Sequence, residues 1–385
     1  MADAPIFWIA FLLLAYIHVG YPAAAWLRAR VRPRPHLGGP GEPAVTVVVV
    51  AHNEAARIAT RIENLLALDY PQQRLEIVIA SDGSTDATVE RAEQYRDAGV
   101  VVRAFRDRRG KAAVLNEVVP TARGEIVVLA DARQRFDVGA LRALVADFAD
   151  ASVGAVSGEL IMTPDSTGTA VGNGVGFYWR YEKFIRRHES EAGSTVGATG
   201  AIYAIRKQLV ESIPDDTILD DVLIPLRVVR AGYRVLFEPA ARAYDSASAT
   251  GHHEFVRKVR TIAGTFQLLA RERWVFDPFR NAVWFETMSH KALRLATPLL
   301  LVVVFAANVT LLDLPAYRVA MAAQLLFYLA ALAGCLYPRT RRPIALVTVP
   351  YTFCLLAWAT IVGFVQFVTG RQKATWERVA PIPSA

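Results

Sequence analysis

Two kinds of hydrophobic pattern divide the chain. Near its ends the apolar residues run on without a period. Residues 6–27 (IFWIAFLLLAYIHVGYPAAAWL) contain no Asp, Glu, Lys or Arg, and a helix of that length crosses about 30 Å of hydrocarbon. Three further apolar blocks follow towards the C-terminus, at residues 296–314, 319–337 and 344–368. Between the two ends, apolar residues come in short runs separated by polar turns and helical patterns. Residues 45–50 are β-branched throughout and lead, after a polar turn, into a helical pattern over 54–68. Residues 75–80 form a second run, followed by a turn and a helix from near Thr85. Runs at 100–105 and 125–130 complete a β-α-β-α-β-α-β series. Short apolar strands alternating with helices predict an α/β domain whose mostly parallel sheet is covered on both faces.

Ligands on such sheets bind beyond the carboxyl ends of the strands, and here those ends are strongly polar. The first reads His52-Asn53-Glu54, the second Ser81-Asp82-Gly83-Ser84-Thr85-Asp86, and the fourth ends in Asp131. One polar strand end is ordinary turn chemistry, because Asp, Gly and Ser suit turns and helix caps. Three carboxylate-bearing ends on one rim point to a binding site. Neither Gly-x-Gly-x-x-Gly after the first strand nor Gly-x-x-x-x-Gly-Lys-Ser/Thr occurs, so neither a dinucleotide dehydrogenase nor a P-loop ATPase is supported.

Charge orients the apolar ends. The 385 residues are 53% hydrophobic, and 43 Lys and Arg against 36 Asp and Glu give a formal net charge of +7. Arg28, Arg30, Arg32 and Arg34 follow the first apolar segment, which places the N-terminus outside and the following region in the cytoplasm. The leader carries Asp3 and no basic n-region, so the segment reads as an anchor, with Ala23-Ala24-Ala25 the weaker alternative of a cleavage site. The turn from Pro338 to Pro343 is basic, as are Arg371 and Lys373. Three full crossings put that turn and the tail on opposite sides, and Pro350 allows a re-entrant third block. The number of C-terminal crossings stays open.

Residues 251–295 mix Arg and His with Trp274, Phe276, Phe279, Trp284 and Phe285, a pattern that suits amphipathic helices in the headgroup layer. The expected organisation is an anchor (1–30), a linker (31–43), a cytoplasmic catalytic domain (44–250), interfacial helices (251–295), a membrane region (296–370) and a tail (371–385). The membrane is the inner (plasma) membrane, crossed more than once. No basic stripe interleaved with aromatics indicates nucleic acid. Cys335 and Cys354 lie in apolar stretches and read as buried small hydrophobes.

From residue 45 to 273 the chain resembles the family 2 glycosyltransferases with a GT-A fold. The likeness rests on HNE (52–54), SDGSTDAT (81–88), GKAAVLN (110–116), LADARQRF (129–136), GATGAIYAIRK (197–207) and LDDVLIPLRVVRAGYR (219–234), in order. Membrane segments on both flanks resemble the synthase-like branch. The resemblance implies an inverting transfer of sugar from a nucleotide-diphosphate sugar, expected to be a UDP-sugar, to a polysaccharide or lipid-linked acceptor.

It also implies residue roles. Glu54 and Asp82 would contact the nucleoside, and Lys111 the nucleotide phosphate. Asp131 matches the first acid of the family's DxD motif and would hold the diphosphate through Mg²⁺ or Mn²⁺. The second acid is replaced by Arg133, which would meet the diphosphate directly. Asp221 is the expected general base, with Asp220 positioning it. Gly197, Thr199, Gly200 and Tyr203 would line the acceptor side, and Arg260 would reach the diphosphate. The Q/RxxRW motif of processive members is absent around Arg260, although Trp376 offers another aromatic. A processive synthase and a catalytically silent nucleotide-sugar-binding protein are the competing functions.

Overall fold

The computed structural model describes residues 3–163, 170–246, 251–336 and 344–375. Trp376 and the basic turn between Pro338 and Pro343 lie outside the described residues.

The first apolar segment is one helical rod. Helices α1 (Asp3–Ala15) and α2 (Tyr21–Val31) are joined by a π-helical turn, Tyr16–Gly20, so the backbone stays helical over 29 residues. An extended linker then leads into the sheet.

The strands are β1 (Val45–Ala51), β2 (Leu75–Asp82), β3 (Val100–Phe105), β4 (Ile126–Asp131), β5 (Arg135–Phe136), β6 (Val153–Thr163), β7 (Ile202–Arg206) and β8 (Arg234–Ser246). They form one sheet in the order β3-β2-β1-β4-β7-β6-β8-β5. Strands β3, β2, β1 and β4 are mutually parallel; β7 runs antiparallel to both β4 and β6, and β8 pairs parallel with β6. The sheet is mixed and mostly parallel, as expected. Strand β1 shows why its run of valines lacks alternation. Val47 and Val49 pack with Ile58, Ile62 and Leu65 of α3 (Ile58–Leu66) on one face. Val48 packs on the other face with Val114, Leu115 and Val118. A strand covered on both sides has no polar face to show.

The remaining helices are α4 (Thr88–Glu93), α5 (Lys111–Thr121), α6 (Ala140–Ala146), α7 (Ala170–Ala192), α8 (Asp220–Arg230), α9 (Gly251–Arg271), α10 (Trp284–Glu286), α11 (Thr297–Thr310), α12 (Pro315–Leu336) and α13 (Ala345–Val368). Helix α7 lies against the anchor, with Ile185 packed on Tyr21 and Ala25. Phe7 and Ala10 of α1 pack with Val304, Ala307 and Leu311 of α11.

Four helical runs are long and apolar enough to cross a membrane: Asp3–Val31, Trp284–Thr310, Pro315–Leu336 and Ala345–Val368. Their outer surfaces carry exposed Leu12, Val19, Leu299, Val302, Leu326 and Leu346, which suits hydrocarbon rather than water. The second run starts at Trp284, so the boundary expected at residue 295 falls inside one helix. Cys335 faces outward on α12 and Cys354 is half-buried. The expectation that both are buried is therefore corrected for Cys335; its surroundings are apolar because they face outward from the bundle, not because they form a core.

Helix α13 ends against α9. The Phe266 ring lies 5.2 Å from that of Phe364 and 6.0 Å from that of Phe367. A Cβ on Gly363 would stand 3.1 Å from the Val259 carbonyl. The chain beyond α13 then stays against α9, where Ala374 O accepts from Arg260 Nη2 at 2.8 Å.

Candidate active site

The rim is built from strand ends held in unusual backbone conformations. Asn53 adopts φ 54°, and its Oδ1 accepts from the Thr85 N–H at 2.8 Å. His52 Nδ1 sits 2.6 Å from Asp82 O. These contacts tie the end of β1 to the end of β2. Glu54 stands at this junction, its carboxylate 3.2 Å from Arg57 and its N–H donating to Thr88 Oγ1 at 2.8 Å.

Asp82 is buried, and its carboxylate accepts two backbone N–H groups, from Arg109 at 2.7 Å and Gly110 at 2.9 Å. It thereby fixes the loop that feeds α5. Gly83 is required beside it: φ is +60°, and a Cβ there would stand 2.5 Å from Arg108 N. Asp82, expected as a nucleoside contact, holds the loop that feeds α5 through these two bonds.

The first residue of α5, Lys111, reaches over the rim. Its Nζ lies 3.0 Å from Asp131 Oδ1 at the end of β4 and 3.3 Å from Asp220 Oδ2 at the start of α8. Burial alone would lower the Lys111 pKa, but Asp131, Asp220 and Asp221 together hold it above the ordinary lysine range. One cation therefore sits among three acids from two separate motifs.

Asp221 is next to this group and partly open to the cleft. Its Oδ2 accepts the Gly200 N–H at 2.9 Å, and its backbone carbonyl accepts the Ala198 N–H at 2.8 Å. A Cβ on Gly200 would meet that carboxylate oxygen at 3.2 Å, so a small residue allows the close approach. Thr199 N–H donates to Ser157 Oγ at 3.0 Å, and a Cβ on Gly197 would touch the Asp221 carbonyl at 3.4 Å. Burial and the neighbouring Asp220 push the Asp221 carboxyl up to about 6, against the pull of Lys111, Arg186 and the Gly200 N–H. A carboxylate poised there can take a proton near neutral pH.

Two further predicted residues converge on the same acids. Tyr203 of β7 is fully buried, with its hydroxyl lacking a hydrogen-bond partner. Burial, then Asp220, Asp221 and Asp131, hold it well above the usual tyrosine range. It belongs to the core beneath the site. Burial lowers the Arg260 pKa, while Asp220, Asp221 and Asp131 pull the other way.

Arg133 is placed differently: its Nη2 is 2.8 Å from Asp245 Oδ2 on β8. Asp245 is buried and also accepts from Gln134 Nε2 at 3.1 Å. No local signal marked Asp245, which lies 112 positions from Arg133 and outside any motif. Arg186 was also missed, because on α7 it is one charge in a run of many.

Among the described residues, no group of three or more His, Cys, Asp or Glu gathers as a metal cage. Asp131 supplies one carboxylate on the donor side. That set fits a Mg²⁺ or Mn²⁺ ion bound chiefly by diphosphate oxygens and water, since such ions commonly take one or two protein carboxylates.

An open α/β sheet with acids at its strand ends, crossed by an antiparallel β7, defines a GT-A-type domain. Residues 46–213 match the family model described as Glycosyl transferase family 2, and over that stretch the chain is similar to the family 2 glycosyltransferases. It is 25% identical over 267 residues to the "Probable glycosyltransferase YdaM" of Bacillus subtilis, covering 62% of this chain and 61% of that one. It is 26% identical over 233 residues to a "Poly-beta-1,6-N-acetyl-D-glucosamine synthase" of Staphylococcus aureus, covering 59% of this chain and 56% of the relative. The matches thus span less than two thirds of these curated relatives. Among solved structures, the mannosyltransferase PcManGT from Pyrobaculum calidifontis, in complex with GDP-Man and Mn²⁺, superposes with a TM-score of 0.73 at 26% identity. That match covers 95% of this chain and 99% of the other.

Proposed function

We propose that the protein is a membrane-bound inverting glycosyltransferase that moves a sugar from a nucleoside-diphosphate sugar to a hydroxyl on a polysaccharide or lipid-linked acceptor. The placement of Asp221 carries this reading. Its carboxylate is oriented by the Gly200 N–H and lies next to Asp220, which stands across Lys111 from Asp131.

The donor would lie along the β1, β2 and β4 ends, with Glu54 near the nucleoside and Asp82 holding the loop beneath it. Lys111 and Arg260 would face the diphosphate and offset its charge. Arg133 would join them only by leaving Asp245. A divalent ion held by Asp131 would add further charge stabilisation at the diphosphate.

In the single displacement, the acceptor hydroxyl oxygen attacks the anomeric carbon and its proton passes to Asp221. The carbon–oxygen bond to the diphosphate breaks, and the nucleoside diphosphate leaves with the electron pair. Configuration inverts. Asp220, paired with Lys111, would keep Asp221 in place.

Donor sugars of this class are cytoplasmic, and the basic flank from Arg28 to Arg34 favours the same side for the domain. The contact between Arg260 and Ala374 adds a parity argument. If the tail and the catalytic domain share a side, residues 284–370 cross an even number of times. Then one of the three C-terminal helices does not span.

The experiment is to incubate the purified protein with a panel of nucleotide sugars, with and without Mg²⁺ or Mn²⁺, and measure nucleotide released. Metal-stimulated release from one donor is expected; no release from any donor, with or without acceptor lipid, overturns the proposal.

A further inference from the structure

The acceptor side holds more positive charge than the protein neutralises. Arg186 of α7 and Lys291, in the helical run from Trp284, are both partly buried. Among the described residues neither has a carboxylate within 4.0 Å. The nearest polar contact of Arg186 is a long one, from Nη2 to Ala198 O at 3.5 Å. Arg294 pairs with Glu182, yet its Nε and Nη2 are buried without a hydrogen-bond partner.

These three cations act on one another. Lys291 lies within electrostatic reach of Glu182, Arg186, Arg294 and Glu189, and Arg186 within reach of Asp221. The nearby anions are Glu182 and Glu189. Glu189 is taken by His290 Nδ1 at 2.7 Å and Tyr21 Oη at 2.5 Å. His290 Nε2 also faces Glu182 at 3.0 Å, so Glu182 is shared between His290 and Arg294. Partly buried cations with no carboxylate in direct contact are costly. An anion that completes them would be favoured, and a phosphate matches two or three converging N–H donors.

We propose that Arg186 and Lys291, backed by Arg294, bind a phosphate on the acceptor, one step from Asp221 and at the membrane edge. This rests on the transfer reaction proposed above. Because Asp221 takes a hydroxyl proton, the phosphate is not the nucleophile. It is the link between the lipid and the sugar whose hydroxyl attacks. The acceptor is therefore a phosphate-linked glycolipid, with its lipid lying beside α2 and the Trp284–Thr310 helix.

The test uses the full chain in phosphatidylcholine nanodiscs, with farnesyl phosphate and farnesol as probes and binding read by native mass spectrometry. Farnesyl phosphate is expected to bind and farnesol not. Lys291→Gln and Arg186→Gln should each weaken binding by roughly ten- to a hundred-fold, while Lys291→Arg restores it. Equal binding of the two probes overturns the proposal, as does unchanged binding in the double Gln variant. In phosphatidylglycerol nanodiscs, farnesyl phosphate should still compete for the site. If the bulk headgroup excludes it, the cluster is a membrane anchor and the acceptor assignment falls. Phosphate-dependent binding with no transfer from any donor would instead sink the transfer reading alone.

Discussion

The sheet rim and the membrane edge both concentrate charge, but they settle it differently. At the membrane edge, Glu182 and Glu189 are buried on α7 and closed around His290, Arg294 and Tyr21. Burial opposes ionisation there, and Arg294 and His290 overcome it, so both glutamates sit below the usual carboxylate range. Arg28 and Glu286 add a second pair between the anchor and α10. These links join α2, α7 and the Trp284 helix, and so fix the sheet domain on its membrane segments. At the rim, by contrast, Lys111 pairs directly with Asp131 and Asp220, Arg260 and Arg186 act from further off, and Asp221 stays partly open. The two glutamates are closed structural links that leave Arg186, Lys291 and two N–H groups of Arg294 for an anion, whereas the rim leaves the Asp221 carboxylate itself partly open.

Breaking the closed cluster should cost the most. His290→Leu leaves two buried carboxylates without their shared imidazole, at about 3–5 kcal/mol of stability. The melting temperature should fall sharply, and the protein that remains folded should bind donor normally. Lys111→Ala acts on the open region instead. It removes the cation facing three acids and the donor, and transfer should drop roughly a hundred- to a thousand-fold with little change in melting temperature. If it also unfolds the protein, the contrast between the two regions is wrong.

A smaller effect is expected from Asp82→Asn, which weakens two charge-assisted bonds to the loop N–H groups of Arg109 and Gly110. KM for the donor should rise roughly ten-fold, with kcat changed less. The smallest test concerns topology. In a chain lacking Cys335 and Cys354, Arg371→Cys should react with a membrane-impermeant maleimide only from the cytoplasmic side, without loss of activity. Labelling from outside would separate the tail from the catalytic domain.

Much of this arrangement was legible in the residues. Strands β1 to β4 fall within two residues of the apolar runs, because strands buried on both faces write themselves as unbroken Val and Ile. Strands β6 and β8 were not foreseen. They carry Gly154, Ser157 and Gly158 at their contacts, and register shifts occur between Val153 and Ala155 and between Ser157 and Glu159, so neither shows a clean period. At the site, Asp131, Asp220, Asp221 and Lys111 came from motifs and are gathered by the fold. Arg133 matched a motif position too, but its partner Asp245 belongs to a strand more than a hundred residues away. Lys291 and Arg186 had no local signal, since an unpaired cation is defined only by what the fold fails to place beside it.

If Asp221 is the general base, the pH dependence of kcat/KM carries its signature. Its carboxyl is pushed up to about 6, so the wild-type rate should fall as pH drops through that value and level off above it. Asp221→Asn should bind donor, lose roughly a hundred- to ten-thousand-fold in transfer, and lose that acidic limb. Substantial transfer by Asp221→Asn, or an unchanged limb in its profile, would contradict the account.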